Sequence, residues 1–169
     1  MSISKKYYGY EDIHSMVNKI SLQMYKDNWR PDYIVGLTRG GLVPAVIMSN
    51  ALDIPMHTLK VNLRDHVEGS ESNLWMSEDA FGYGDGVEPK NILIVDDIND
   101  TGATLDWIIQ DWQTSCLPDD PKWLNIWGNN VRIAVLIDNL SSKFSRKVDY
   151  CAETINKAEE DIWIVYPWE

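Results

Sequence analysis

The chain has 169 residues, 44% hydrophobic and 24% charged, and its 26 acidic against 15 basic side chains leave a formal charge of −11. That length suits one folded unit, residues 1–169 as a single domain with a real core, and argues mildly against two. No basic stripe exists to neutralise a phosphate backbone, so a nucleic-acid partner is excluded; an anionic substrate needs locally gathered cations or a bound metal.

Taken in chain order, "YEDIHSMVNKISLQMYKDN" sets Ile13, Met16, Val17, Ile20 and Met24 at helical spacing, with Glu11 or Asp12 near the start. "PDYIVGL" predicts a short buried strand over 33–37, opened by Pro31, and "TRGG" breaks it. "LVPAVIMSNALD" predicts a helix with Pro44 in its first turn, where a missing N–H costs little. A second strand is predicted over roughly 56–63. Residues 64–89 are polar and Gly-rich and are expected to be structureless, which inside a compact domain points to a functional loop. "NILIVDDI" reads as a third strand, its unbroken apolar run fitting a parallel strand covered on both faces, and "TLDWIIQDWQ" as the helix after it. Residues 113–130 form a longer connection, taken as exposed, whose Trp123 and Trp127 serve an interface or pack locally. "VRIAVLIDN" supplies a fourth strand, "VDYCAETI" a possible fifth, and the tail "DIWIVYPWE" is short and aromatic. Alternating strands and helices predict an α/β fold, a mostly parallel sheet flanked by helices. Cys116 and Cys151 are too few for a disulfide framework or a CxxC metal site. The N-terminal stretch lacks the apolar segment of a signal peptide, and no apolar run nears the roughly 20 residues of a membrane span. A soluble cytoplasmic protein with no membrane partner is expected.

In open α/β sheets, ligands sit outside the carboxyl ends of strands. Two predicted strands end in unusual chemistry there: "IVGLTRGG" and "LIVDDINDTGAT". In the second, Gly102 permits close backbone approach, and the following helix turns its free N–H groups and positive dipole end toward the loop. With the hydroxyls of Thr101 and Thr104, the loop 100–104 makes a phosphate cradle that needs no lysine. Asp96 and Asp97 would repel a phosphate, so they accept hydrogen bonds from sugar hydroxyls or hold a divalent cation through water. A phosphate at one end and adjacent hydroxyls at the other describe a ribose 5-phosphate. Asp100 falls near where a base joins the sugar and is placed to move a proton. One such Asp could merely cap a helix; the whole pattern, D-D, two residues, then D-T-G-x-T, argues against that.

"ILIVDDINDTGAT" resembles the phosphoribosyl-pyrophosphate signature of the type I phosphoribosyltransferases, in the form of their purine-salvage members. "VGLTRGGLVPAVIMSNALDIP" is similar to the family's first ligand loop, most like the bacterial xanthine-guanine enzymes, in which Arg39, Gly40 and Gly41 would hold pyrophosphate. Arg39 offers a planar fork of donors for phosphate oxygens. "DIWIVYPWE" is similar to the base-binding segment, which implies that Trp163 stacks on the base and that the main chain of Ile164 faces its edge. The resemblance spans roughly residues 30–169. It implies the family fold, with a small base-binding hood formed by the chain termini, from the N-terminal helix and residues 151–169. It implies transfer of a 5-phosphoribosyl group from phosphoribosyl pyrophosphate to a nucleobase, above all a 6-oxopurine (guanine, xanthine or hypoxanthine), giving a nucleoside monophosphate and pyrophosphate. Asp100 is then the catalytic proton relay. Arg39, Gly40, Gly41, Asp96, Asp97, Thr101, Gly102, Ala103 and Thr104 bind the donor, Asp96 and Asp97 hold Mg2+, and the assembly is a homo-oligomer, dimer or tetramer.

Two departures stand out. At the start of the loop that covers the site, relatives often carry Ser-Tyr where this chain has Leu63-Arg64; Arg64 would serve pyrophosphate, and His66 reads as a solvated loop residue. After the fourth strand, purine-salvage members present a lysine to the 6-oxo group, but here Asp138 and Asn139 stand, with Lys143 several residues on. An ionised aspartate cannot donate. Either Lys143 or Asn139 substitutes, or the base is not a 6-oxopurine and Asp138 accepts from an amino group instead. The rival function is a weakly catalytic sensor of phosphoribosyl pyrophosphate or a nucleotide on the same fold; the joint presence of Asp100 and the Arg39 loop favours the enzyme. A Rossmann dehydrogenase is excluded by the lack of GxGxxG after the first strand.

Overall fold

A computed structural model describes residues 3–61, 63 and 73–169. Arg64 and His66, singled out above, lie outside the described residues. The elements in chain order are β1 (Ser4–Tyr7), α1 (Tyr10–Lys26), β2 (Tyr33–Thr38), α2 (Leu42–Leu52), β3 (Met56–Lys60), α3 (Leu74–Phe81), β4 (Ile92–Asn99), α4 (Ala103–Ser115), a 3-10 turn (Pro121–Asn125), β5 (Val131–Asn139), β6 (Tyr150–Ile155) and β7 (Ile162–Val165).

β2 to β6 form one sheet, in the order β3-β2-β4-β5-β6, with every neighbouring pair parallel. Its central strands β2, β4 and β5 bury both faces, and the period-2 alternation of side chains divides the core accordingly. Tyr33, Val35 and Leu37 of β2, Ile92 and Ile94 of β4 and Ile133 and Val135 of β5 pack with Met76, Phe81, Leu105, Ile108 and Trp112 from α3 and α4. Their alternates, Ile34, Leu93, Val95, Ala134 and Leu136, pack with Ile13, Met16, Val17, Ile20, Ala45 and Met48 from α1 and α2. The α/β architecture with a parallel sheet flanked by helices is the one the alternating sequence pattern implies.

A second sheet joins the two ends of the chain: β1 pairs with β7 in parallel, Lys5 opposite Trp163 and Lys6 opposite Ile164. α1 itself lies against the main sheet and α2.

One expectation is corrected and a second is narrowed. The stretch 64–89 is not structureless throughout: α3 occupies Leu74–Phe81, with Met76, Ala80 and Phe81 in the core. Asn73 stands at its start and Gly82, at φ +75°, ends it. The connection 113–130 is exposed at most positions, but its tryptophans are core and pack locally: Trp123 and Trp127 stack with ring centroids 5.9 Å apart, Trp112 flanks Trp127 at 6.0 Å, and the Trp123 indole N–H donates to the Cys116 carbonyl at 2.8 Å. Trp123→Ala, which empties a fully buried site, is expected to cost about 3–5 kcal/mol, read as a lowered urea unfolding midpoint at unchanged slope.

Candidate functional site

The strand order reverses between β2 and β4. The connection from β2 leads outward to β3, whereas that from β4 leads the other way to β5, so the two carboxyl ends open a crevice between them. The sequence delivers its two unusual turns to that crevice. Gly40, after β2, lies against the carboxylate after β4: a β-carbon at position 40 would sit 2.3 Å from Asp97 Oδ2. Only a residue without a side chain lets the two turns touch. Gly41 caps α2, its carbonyl accepting from the Ala45 N–H at 3.1 Å. The Arg39 side chain is exposed and makes no hydrogen bond or ion pair among the described residues; the Thr38–Arg39 peptide is cis.

A cavity of about 180 Å³ lies beside these residues, lined by Asp96 to Gly102, Thr104 and Leu105. At its floor Asp96 Oδ1 accepts the Asp97 N–H at 2.9 Å, and Asp97 Oδ1 accepts the Ile98 N–H at 2.8 Å. Neither Oδ2 takes a hydrogen bond among the described residues. Burial pushes the Asp96 carboxyl well above the usual carboxylate range, and the Asp97 charge beside it adds to the rise. Asp97 is raised as well, first by burial. Two adjacent, half-satisfied, desolvated carboxylates are a site that a cation or a set of hydroxyl donors would relieve.

The rest of the turn is built around Gly102. Its φ of +94° belongs to the left-handed region, and a side chain there would meet the Phe144 backbone nitrogen at 2.3 Å. Ala103 opens α4, its N–H donating to Thr101 Oγ1 at 3.2 Å, and the rest of the helix's first turn leaves N–H groups without intrahelical acceptors beside Thr104. Segment 138–145 braces this turn from behind. Asp138 Oδ1 accepts from Asn99 Nδ2 at 2.9 Å, and Asn139 Nδ2 donates to the Asp100 carbonyl at 3.0 Å. Ser142 Oγ donates to Asn99 Oδ1 at 2.9 Å, and the Lys143 N–H to the Thr101 carbonyl at 2.9 Å. Asn139 and one carboxylate oxygen of Asp138 therefore hold the loop.

Asp100 stands at the mouth, its side chain 43% exposed, paired with Lys157 through Nζ–Oδ1 at 3.1 Å. Lys157 also lies over the Trp163 ring, 5.9 Å from its centroid. Trp163 is 55% exposed and so is no core tryptophan, whereas the neighbouring Ile164 is buried and anchors β7. The terminal sheet is tied to the acidic turn by the Tyr166 hydroxyl, which donates to the Asp97 carbonyl at 2.7 Å. Every described residue of the sequence-predicted site thus lies along one rim, from the Arg39 turn through the acidic turn to β7. Lys157 is the residue that sequence reasoning missed. It follows β6, one strand beyond the end of β5, and its only local signal is a lone cation in "INKAEED", six residues ahead of Trp163.

Residues 9–168 match the phosphoribosyl transferase domain. The hypoxanthine-guanine phosphoribosyltransferase of Schizosaccharomyces pombe is 29% identical over 185 residues, covering 96% of this chain and 88% of that protein. A xanthine-guanine phosphoribosyltransferase of Cereibacter sphaeroides is 42% identical over 81 residues, 47% of this chain and 46% of its own. Among solved structures, a purine phosphoribosyltransferase from Pyrococcus horikoshii aligns with a TM-score of 0.66 at 25% identity, covering 98% of this chain and 94% of that one. With a domain match across nearly its whole length, the chain belongs to the phosphoribosyl transferase family.

Proposed function

We propose that this protein transfers the 5-phosphoribosyl group of phosphoribosyl pyrophosphate to a purine base. The observation that carries the reading is the meeting, at one crevice, of the Arg39–Gly41 turn, the acidic turn 96–104 and the exposed Trp163 beside Asp100. Main-chain N–H groups of 101–104 and the hydroxyls of Thr101 and Thr104 hold the 5-phosphate. Arg39 and the backbone of Gly40 and Gly41 hold the pyrophosphate. The base stacks on the Trp163 indole, with the main chain at Ile164 along its edge, in a hood built from residues 151–169 and the N-terminal segment. Asp100, at the rim between sugar and base, accepts or returns the proton of the base nitrogen and faces the positive charge that develops on the sugar as its bond to pyrophosphate breaks.

Asp96 and Asp97 fit Mg2+: two adjacent carboxylates with free Oδ2 atoms match an ion that takes one or two carboxylates and completes its shell from substrate oxygens and water. Bound there, Mg2+ supplies positive charge to the pyrophosphate oxygens and ribose hydroxyls. Among the described residues no group of three or more acidic, His or Cys side chains gathers, which suits an ion completed by substrate. We place the protein in the cytoplasm as a dimer or tetramer, following its family resemblance. The free state of Cys116 and Cys151 supports the compartment, and among the described residues no helix is long and apolar enough to cross a membrane.

The test is a steady-state screen of guanine, xanthine, hypoxanthine, adenine and uracil with phosphoribosyl pyrophosphate and Mg2+, read as pyrophosphate release. A purine is expected to turn over, and Asp100→Asn to lower kcat by about 10²–10⁴-fold with donor binding kept. Donor binding without turnover of any base would make the protein a sensor instead.

The carboxyl shifts yield a second expectation. The folded state raises Asp96 and Asp97, so between the ordinary value near 4 and the raised one it binds more protons than the unfolded chain, and stability falls as pH rises through that window. Asp96→Asn removes the buried charge. Its melting temperature should exceed that of the parent at pH 8, the gap closing toward pH 4, while transferase activity is lost. A gap independent of pH in parallel thermal melts would show that Asp96 ionises in the fold at no cost.

A further inference from the structure

We propose that Tyr166 is a positioning residue: its hydroxyl pins the strand that carries Trp163 to the acidic turn, so that the base platform and the sugar-phosphate site keep one fixed separation. The inference rests on the transferase reading above and states how the two halves of that site are held together.

β2 and β4 pair only as far as Gly36 opposite Val95, and the β4–β5 register passes from Asp96 opposite Val135 to Ile98 opposite Ile137. Asp97 therefore stands opposite no strand residue where the two turns open, and the Tyr166 hydroxyl gives its carbonyl a donor at 2.7 Å. Among the described residues this is the one hydrogen bond that joins the terminal sheet and its tail to the turn 96–104. The other hydroxyl tie of that sheet, from Tyr8 to Glu153 Oε2 at 2.6 Å, ends on β6 instead.

The ring is held so that its hydroxyl has little freedom. Alternation along β7 turns Ile164 and Tyr166 to the core and leaves Trp163 at the rim. Tyr166 is flanked by Trp168, with ring centroids 4.7 Å and planes 6° apart, and by Tyr8 at 6.0 Å. Tyr8 in turn donates its N–H to the Val165 carbonyl at 3.0 Å, so the N-terminal segment braces both the strand and the ring. Burial, and after it the Asp97 charge, pushes the phenol well above its ordinary value, which keeps the hydroxyl protonated and donating.

A nucleotide joins base and sugar by a single bond. A stacking ring and a phosphate cradle therefore cooperate only at the separation which that bond imposes. Trp163 rides on β7 and the cradle follows β4, and Tyr166 closes the span between them across 69 positions of sequence. A ligand that touches only the cradle is indifferent to that span. One that reaches both ends depends on it.

The test is calorimetric titration of the full-length parent and Tyr166→Phe in the presence of Mg2+, with a melting curve for each. The probes are guanosine 5′-monophosphate, which reaches both ends, and ribose 5-phosphate, which reaches the cradle alone. Tyr166→Phe keeps the ring and its stack and removes the donor. Expected are guanosine monophosphate binding weakened about tenfold and ribose 5-phosphate binding within about twofold of the parent. In steady-state kinetics the guanine KM should rise about tenfold, with kcat and donor KM within about threefold. Equal weakening of the two ligands would make Tyr166 a structural residue only and overturn the inference, as would no weakening of either. Should Tyr166→Phe not fold, the parent alone decides. Exchange of the amide hydrogens of 162–166 is expected to slow at least about threefold on adding ribose 5-phosphate and Mg2+, and unchanged exchange overturns the inference. If a parent that binds both ligands turns over no base, the transferase reading falls while the split between the ligands still decides the role of Tyr166. A parent that binds neither ligand removes the reading and the inference together.

Discussion

The fold is organised by one topological constraint, the reversal of strand order between β2 and β4. Because neighbouring parallel strands send their connections to opposite sides, the turns that follow them cannot cross the gap and must face each other over it. Everything polar in the site depends on how closely those turns approach. The approach is set by Gly40, where any β-carbon would collide with Asp97 Oδ2 at 2.3 Å. Asp96 and Asp97 lie at this approach and line the cavity beside it, and burial raises both carboxyls.

Much of this was legible in the sequence because it is encoded locally. The five buried apolar residues of α1 fall at helical spacing, β5 carries the unbroken apolar run 133–137, and Gly102 marks a left-handed backbone position that few other residues tolerate. The phosphate-cradle turn is a contiguous motif whose residues need no distant partner to announce their chemistry. α3 was hidden for a different reason: its own signals, Asn73 before and Gly82 after an apolar Leu-Trp-Met run, were averaged into a polar, Gly-rich stretch of 26 positions. Trp123 and Trp127 gave no hint of burial, since nothing local tells a core tryptophan from an exposed one.

β1 and β7 lie at the opposite extreme. β1 is "SKKY", four exposed residues, and it is a strand only because β7 lies beside it from the far end of the chain. Lys157 belongs with these long-range features. Its meaning comes from Asp100, Trp163 and Asn139, which are 57, 6 and 18 positions away in sequence. Reasoning from a motif looks for a donor where relatives place it. Packing instead brings Lys157 against Asp100 from the end of β6, the strand beside β5.

The acidic balance of the chain then becomes intelligible as a division of labour. A molecule with formal charge −11 attracts no polyanion at long range, so on the proposed reading the phosphates are left to short-range donors: main-chain N–H groups at the start of α4, two threonine hydroxyls and the Arg39 fork. On the same reading Arg39 serves the pyrophosphate end, while the one cation paired with Asp100 among the described residues is Lys157. The buried pair Asp96–Asp97 supplies the opposite need, an affinity for positive charge that burial has sharpened. On the proposed reading Asp96 and Asp97 would hold the cation, and the charge that burial makes costly in this fold would be met there.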